Sequence, residues 1–362
     1  MGFWTGKRVF LTGHTGFKGS WMALLLSRMG ADVFGYALRP PTEPNLFTVA
    51  RVGDGIQSRI ADIRDMESLS RSMAESAPDV VIHMAAQPLV RDSYDKPVET
   101  FDVNVMGTVY LLEAVRHTPG VKATIVVTSD KCYENREVLS AYSENDAMGG
   151  HDPYSSSKGC AELVTAAYGR SYFAPGMGRG AVASVRAGNV IGGGDWAKDR
   201  LVADLARGLI AGETIVVRHP DAIRPWQHVL EPLSGYLKVA EHLMANGPRA
   251  WEAWNFGADG SGEKSVGVLA DLACRIWGRP NAFRIAMDPD AVHEAKLLKL
   301  DSTKARTRLG WRPRWTFEES VTETMAWYRA FVDGADMRAV TLSQIETYQS
   351  EMPEERAGRM HR

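Results

Sequence analysis

Residues Lys7 to Trp21 read KRVFLTGHTGFKGSW, and the fold is decided there. Val9, Phe10 and Leu11 form an apolar run directly before Gly13, Gly16 and Gly19, and Trp21, Met22, Leu24 and Leu25 form an apolar-periodic segment directly after. The order predicts a strand, a tight glycine turn and a helix. Glycine is wanted because the turn is tight and the backbone must come close to a pyrophosphate, while the first N–H groups of the helix are unpaired and carry the positive end of its dipole. A dinucleotide is the natural occupant. The spacing GxxGxxG differs from the GxGxxG of ordinary nucleotide-binding dehydrogenases, and a lone glycine pattern is a weak signal. Its place between strand and helix favours a cofactor loop over a merely structural turn.

Working outward, Ala31 to Ala37 predicts a second strand, followed by the loop RPPTEPNLF, in which Pro40, Pro41 and Pro44 lack amide donors and stop any regular element. A short polar-apolar run, Gly55 to Ala61, precedes Asp62, and Met66 to Ser76 has the period of a helix. Asp79 to Met84 reads as a buried strand that ends in the small residues Ala85 and Ala86, as needed where a chain passes close to a cofactor. Glu99 to Arg116 reads as one long helix carrying Asn104, Gly107 and Thr108. Lys122 to Thr128 is the next strand, Tyr154 to Tyr172 another helix, and Ala181 to Arg186 another strand. This alternation predicts an α/β fold, a doubly wound parallel sheet of the Rossmann type. Ligands of such sheets sit beyond the carboxyl ends of the strands, where Gly13, Ala85 and Ser129 fall. The turn-rich block Asn189 to Trp196 (NVIGGGDW) breaks the alternation. The expected division is a dinucleotide-binding domain with the catalytic residues over 1–188, a smaller mixed α/β substrate region over 189–350 with some segments returning to the first domain, and a polar tail over 351–362.

At 362 residues, 44% hydrophobic and 24% charged, the chain can bury one large core or two smaller ones. A formal net charge of −2 without long blocks of like charge gives no electrostatic case for nucleic acid or a membrane surface. Cys132, Cys160 and Cys274 are odd in number and widely spaced, which suits reduced thiols in a cytoplasm better than a disulfide frame or a zinc site. No metal is expected. The N-terminus lacks the pattern of a secretory signal and no run has the length of a membrane span.

Tyr154 and Lys158 are four apart and face the same way on a helix. A lysine and a cationic nicotinamide near a phenol stabilise phenolate, lowering its pKa from ~10. Tyr154 is then placed to take a proton from a sugar hydroxyl while hydride leaves the same carbon, with Ser129 hydrogen-bonding that hydroxyl. As a bare pattern YxxxK is usually a surface helix pair. Its position downstream of a glycine cofactor loop and a strand ending in polar residues favours catalysis.

The segments TGHTGFKGSW, HMAAQPLV, NVMGT, VTSDKCYEN, YSSSK, RAGNVIGGGDW and RPWQHVLEP together resemble the extended short-chain dehydrogenase/reductase superfamily and, more narrowly, its CDP-glucose 4,6-dehydratases. The likeness runs from about Lys7 to Tyr348 and includes PPTEPNLF, LKLDSTKARTRLGW and SQIETY. It implies an NAD-dependent intramolecular redox reaction on CDP-D-glucose: oxidation at C4, loss of water across C5 and C6, and hydride return to C6, a lyase reaction overall. By motif, it implies that Gly13, Gly16 and Gly19 hold the pyrophosphate, Asp62 the adenine end, and Ala85, Ala86 and Thr128 the nicotinamide side, with Thr15, Phe17, Ile63, Gln87 and Asn104 also binding the cofactor. Tyr154 and Lys158 carry the redox step. Asp130 falls where such dehydratases keep the acid that protonates the leaving 6-hydroxyl, and Lys131 where dTDP-glucose relatives have a glutamate base. Asn189, Arg224 and His228 fall in motifs that contact the nucleotide sugar, and the planar fork of Arg224 suits a diphosphate. The resemblance also implies a homodimer whose product feeds 3,6-dideoxyhexoses of surface polysaccharide, such as the lipopolysaccharide O-antigen.

One departure concerns the cofactor. Many NAD-binding relatives end the second strand with an acidic residue for the ribose hydroxyl, whereas here it runs into Leu38 and Arg39, and Arg39 suits a 2′-phosphate. NAD remains the expected cofactor, because hydride is returned internally. A 4-epimerase of the same fold would not need Asp130 and Lys131, and a non-catalytic dinucleotide sensor would not need Tyr154 and Lys158.

Overall fold

A computed structural model describes residues 2–137, 140–247, 251–258, 260–286 and 298–350. The expected tail over 351–362 lies outside the described residues. Seven parallel strands make the central sheet: β1 (Arg8–Thr12), β2 (Asp32–Ala37), β3 (Gln57–Ile60), β4 (Val80–His83), β5 (Ala123–Val127), β6 (Ala181–Ala187) and β7 (Glu252–Phe256), in the spatial order β7-β6-β5-β4-β1-β2-β3. The direction of winding reverses between β1 and β4. That is the switch point, and the crevice it opens at the carboxyl ends is where a doubly wound sheet takes its ligand.

Alternation along each strand feeds two cores. Val9, Leu11, Val80, Ile82, Ile125, Ala183 and Val185 point to one face, where they pack with Trp21, Leu24, Leu25, Trp254 and Trp311. Phe10, Val81, Val126 and Val182 point to the other, against Leu69, Met73, Leu111, Leu112 and Val115. Strands buried on both faces read as continuous apolar runs, as VVI and TIVV do here.

Four helices carry the cofactor half: α1 (Phe17–Arg28), α2 (Met66–Ser76), α3 (Gly107–Arg116) and α4 (Pro153–Tyr172). α4 starts where Asp152 accepts the Ser155 N–H and Pro153 occupies its first turn, both start signals. The long helix expected over Glu99 to Arg116 is not continuous. It is a short α-helix (Pro97–Phe101), a π-helical turn (Asp102–Met106), and then α3. The apolar period survives the extra residue, so the interruption is invisible to a periodicity argument. It seats Asn104, whose amide holds the chain beyond β4.

Beyond Ala187 the alternation ends, as expected. Val190–Ile191 pairs with Gln227–His228, Ile223–Pro225 with Glu263–Ser265, and Ile215–Val217 with Phe283–Ile285, each a small two-stranded sheet. β7 returns to the main sheet and extends it beside β6, with Trp254 opposite Val185. In the block Asn189 to Trp196 the glycines serve packing: a Cβ on Gly193 would lie 2.0 Å from the Trp327 ring, and Trp21 Nε1 donates to the Gly193 carbonyl at 3.0 Å.

Candidate active site

A cleft of about 630 Å³ runs along the carboxyl ends of the strands and beneath the smaller region. Its floor begins at the glycine turn. Gly13 has a φ of +76°, and a Cβ there would sit 2.7 Å from the Ala85 nitrogen; a Cβ on Gly19 would sit 2.0 Å from the Gly13 carbonyl oxygen. Both glycines are demanded by the protein's own packing. Gly16 is different, since a Cβ there would meet nothing nearer than 3.4 Å. It is the N-cap of α1 and makes no side-chain cap, so the first turn of the helix keeps its N–H groups for an occupant of the cleft. These features fit a pyrophosphate. Thr15 Oγ1 donates to the Leu38 carbonyl at 2.8 Å, which ties the turn to the end of β2, and Phe17, Arg39, Asp62 and Ile63 line the same end of the cleft. The Asp62 carboxylate already accepts the Arg64 guanidinium at 2.6 Å, and this pair holds its pKa down.

The middle of the cleft is shaped by a buried relay. Thr12 Oγ1 donates to His83 Nδ1 at 2.8 Å and accepts the N–H groups of Met84 at 3.0 Å and Ala85 at 3.1 Å. Nε2 of His83 then donates to Thr108 Oγ1 at 3.2 Å, which donates to the Asn104 carbonyl at 2.7 Å. Burial lowers the His83 pKa to about 3, so the ring is neutral. The register that sets Thr12 opposite His83 thus fixes where Ala85 and Ala86 enter the cleft.

At the end of β5 the reactive groups converge. Thr128, Ser129, Asp130, Lys131, Tyr154 and Lys158 all line the cleft. The Ser129 hydroxyl donates to Asp130 Oδ1 at 3.0 Å and accepts the Lys131 N–H at 3.2 Å. Lys158 Nζ donates to the Val127 carbonyl at 3.4 Å, and burial lowers its pKa to about 8. Burial also raises Tyr154 to about 12, outweighing the lowering effect of the neighbouring Ser129 hydroxyl. In the protein alone the phenol is therefore not acidified. Asp130 is raised as well, by burial first, against the pull of Lys131 and Ser129. A raised carboxyl is the form that can give a proton to a leaving hydroxyl.

Asn189 and Arg224 also line the cleft. Three expected contacts take other positions. Gln87 and Asn104 do not line the cleft. Asn104 Oδ1 accepts the Gln87 N–H at 2.8 Å, its amide donates to the Gln87 carbonyl at 3.1 Å and to Ser157 Oγ at 2.8 Å, and the Gln87 side chain turns to Thr100 at 2.9 Å. Both act on the cleft through the backbone that follows β4. His228 is fully buried, its ring 5.6 Å from that of Trp21 and 4.7 Å from that of Trp315. The expectation that it touches the sugar nucleotide is corrected: the small sheet with Val190–Ile191 turns it inward.

Other residues went unread in the sequence. Lys18, a spacer inside the glycine motif, lines the cleft and donates to Tyr236 Oη at 3.2 Å. Burial first, then Arg200 and Lys158, lower its pKa to about 7. Arg200 lines the cleft and pairs with Asp195 at 2.9 Å, while Arg91 and Arg218 share Asp199. This cationic wall suits a diphosphate. Its members come from segments far apart in sequence, and no local spacing signals them.

A glycine turn at the switch point of a seven-stranded parallel sheet, with serine at a strand end and Tyr-x-x-x-Lys on the next helix, defines an extended short-chain dehydrogenase/reductase. The chain belongs within it to the GDP-mannose 4,6 dehydratase family, whose sequence model matches residues 10–324. It is 51% identical over 354 residues to the CDP-glucose 4,6-dehydratase of Salmonella typhimurium, covering 96% of this chain and 98% of that protein. It is 25% identical over 346 residues to dTDP-glucose 4,6-dehydratase 1 of Escherichia coli, covering 89% and 92%. Among solved structures it superimposes on the dTDP-glucose 4,6-dehydratase of Streptomyces venezuelae, crystallised with NAD and TYD, with a TM-score of 0.76, 25% identity, and coverage of 91% and 99%.

Proposed function

We propose that the protein converts CDP-D-glucose to CDP-4-keto-6-deoxy-D-glucose with NAD as a recycled cofactor. The carrying observation is that one cleft gathers a redox pair, Tyr154 and Lys158, and an elimination pair, Asp130 and Lys131. The 51% identity to a CDP-glucose 4,6-dehydratase supports the choice of nucleotide. Gly13, Gly16, Gly19 and the first turn of α1 would hold the cofactor's pyrophosphate, with Asp62 and Ile63 at the adenine and Ala85, Ala86 and Thr128 at the nicotinamide. Bound NAD supplies the acceptor, and later the donor, of one hydride. Tyr154 takes the proton of the C4 hydroxyl, which Ser129 holds in place. Lys131 takes the C5 proton, acidified by the new C4 ketone, and returns it to C5. Asp130 gives its proton to the departing 6-hydroxyl. Asn189 and Arg224 receive the nucleotide sugar, and residues 189–350 make up most of the substrate half.

Exposed Val98, Phe101 and Met106 and, on the neighbouring α4, Leu163 support a homodimer across this side. Three unpaired cysteines, two of them buried, support a reducing cytoplasm, and a role in deoxysugar supply to O-antigen follows from the proposed product. Among the described residues no helix is long and apolar enough to cross a membrane. Incubation with CDP-, dTDP- and GDP-glucose in turn tests the reading. The 4-keto-6-deoxy product develops an ultraviolet band in alkali, expected most strongly with CDP-glucose. A higher kcat/KM with dTDP-glucose would overturn the nucleotide assignment, and epimerised sugar without the band would overturn dehydration.

A further inference from the structure

The proposed reaction fixes the order in which a sugar nucleotide lies along the cleft. Its glucose must reach Tyr154 and Asp130, its diphosphate follows, and its base comes last. Beyond the cofactor end and the reactive groups, the lining consists of two kinds of surface. One is the cations Arg91, Arg200, Arg218 and Arg224, which suit the diphosphate. The other is a largely apolar wall: Leu201, Val202 and Asp204 from α5 (Leu201–Ala211), with Val216 and Val217 from the small strand Ile215–Val217 that packs beside it. That wall is left for the base. Val216 stands exposed there between the buried Ile215 and Val217, and an apolar side chain bared to a cleft suits the face of a planar ring.

Asp204 is the exception in this apolar wall. Among the described residues five carboxylates line the cleft, Asp62, Asp130, Asp195, Asp199 and Asp204. Asp62 takes Arg64, Asp195 takes Arg200 and the Ala197 N–H, Asp199 is shared by Arg91 and Arg218, and Asp130 serves the elimination. Asp204 accepts Arg207 Nη2 through Oδ1. Arg207 is itself tethered, since Nη1 donates to the Trp196 carbonyl at 2.7 Å and to that of Ala197 at 3.4 Å. Among the described residues nothing meets Asp204 Oδ2, and the side chain is 41% exposed. An acid in the first turn of a helix, three residues before an arginine, has an ordinary stabilising role. That role does not require a guanidinium held by two loop carbonyls, or a place in the cleft among valines.

We propose, resting on the conversion of CDP-D-glucose read above, that Asp204 selects the base, its second carboxylate oxygen accepting a hydrogen bond from the exocyclic 4-amino group of cytosine. An ionised carboxylate only accepts. Cytosine offers an N–H donor at its 4-position, where thymine and uracil offer a carbonyl oxygen. The same carboxylate oxygen therefore gains a charge-assisted hydrogen bond from one base and faces a lone pair on the others. The tether on Arg207 matters to this discrimination, because it keeps the carboxylate from turning away to escape the wrong base. A site built around a polar partner rejects an analogue that leaves that partner unpaired far more strongly than an apolar pocket rejects a change of size.

The test titrates CDP and UDP calorimetrically into the NAD-loaded parent, Asp204→Asn and Asp204→Ala. The parent is expected to bind CDP roughly tenfold or more tighter than UDP, the scale of a hydrogen bond to a charged group. Asp204→Ala should lose that margin chiefly by weakening CDP. Asp204→Asn keeps an acceptor and adds an amide N–H for the uracil carbonyl, so it should bring UDP to within about threefold of CDP, and kcat/KM for UDP-glucose against CDP-glucose should move in the same ratio. A merely structural role would weaken both nucleotides together. An unchanged CDP-to-UDP ratio in both variants, in a parent that prefers CDP, would overturn this inference and leave the proposed function standing. A parent that binds UDP as tightly as CDP would overturn the nucleotide assignment and this inference with it.

Discussion

Two buried carboxylates flank the end of β5 and are provisioned in opposite ways. Glu162, on α4, accepts Thr128 Oγ1 at 2.5 Å through one oxygen, and Ser184 Oγ at 2.6 Å and Arg186 Nη2 at 2.7 Å through the other. Burial alone would weaken the Arg186 cation, but the Glu162 hydrogen bond and charge hold it firmly protonated. Arg186 continues the network to Tyr133 Oη at 2.6 Å, which donates to Asn255 at 2.8 Å. Asp130, just across Thr128, accepts one side-chain hydroxyl, and burial pushes its carboxyl up. A buried charge with a full set of partners is a strut, and one left short of partners is held ready to change protonation. The first fixes β5, β6 and the chain after β5; the second uses that stiffness.

The sharpest way to break this comparison is to cut the strut. Glu162→Ala leaves Arg186 as an uncompensated buried cation and should cost about 3–5 kcal/mol of stability, read as a large fall in denaturation midpoint. Asp130→Asn should leave the midpoint near that of the parent. Equal midpoints for all three proteins would remove the distinction between strut and acid.

Next in size is Tyr154→Phe, which should lower turnover roughly 10²-fold or more, the scale of a lost acid-base group, with an unchanged circular dichroism spectrum. Near-normal turnover would take the redox role from Tyr154. Lys131→Ala sharpens the picture further. Hydride transfer from C4 precedes removal of the C5 proton, so this variant should still reduce bound NAD with substrate, seen by absorbance. It should lose most exchange of the C5 hydrogen with deuterated solvent and most 6-deoxy product. Exchange at the parent rate would exclude Lys131 as the base.

Legibility in the sequence followed distance along the chain. The turn from Gly13 to Gly19, the Met66 to Ser76 helix, and Tyr154 with Lys158 were readable because everything that makes them lies within a few turns of chain. The strut was not: Glu162 meets Thr128 across 34 residues and Arg186 across 24, and nothing in the YSSSK segment announces either. Lys18 meets Tyr236 across 218 residues. The three glycines of NVIGGGDW read only as turn residues, whereas Gly193 is shaped by Trp327 and Gly192 by Val229 and Phe17, all of them distant in sequence. The π-helical turn at Asp102–Met106 keeps the apolar period on both sides and so hides from it.

The smallest effect is expected at His228, where reading by motif and reading by burial disagree. Its ring lies between Trp21 and Trp315, Nδ1 accepts the Leu230 N–H at 3.4 Å, and burial lowers its pKa to about 3. The unfolded chain takes up this proton near pH 6.5 and the folded one only near 3. Its stabilising contribution is therefore full above pH 6.5 and is lost as pH falls, by about 1.4 kcal/mol per pH unit between those limits. His14 and His83, lowered to about 4 and about 3, slope the same way. Glu231, raised to about 7 by burial, slopes the other way, losing stability as pH rises from its unfolded value toward 7. These terms are common to parent and variant and cancel in the difference between them. His228→Phe keeps a ring in the site, so the variant's stability should fall less steeply with acid, by one proton, while KM for the nucleotide sugar moves less than about twofold, or 0.4 kcal/mol. A tenfold rise in KM with an unchanged acid slope would put the imidazole against the substrate and reopen the motif reading.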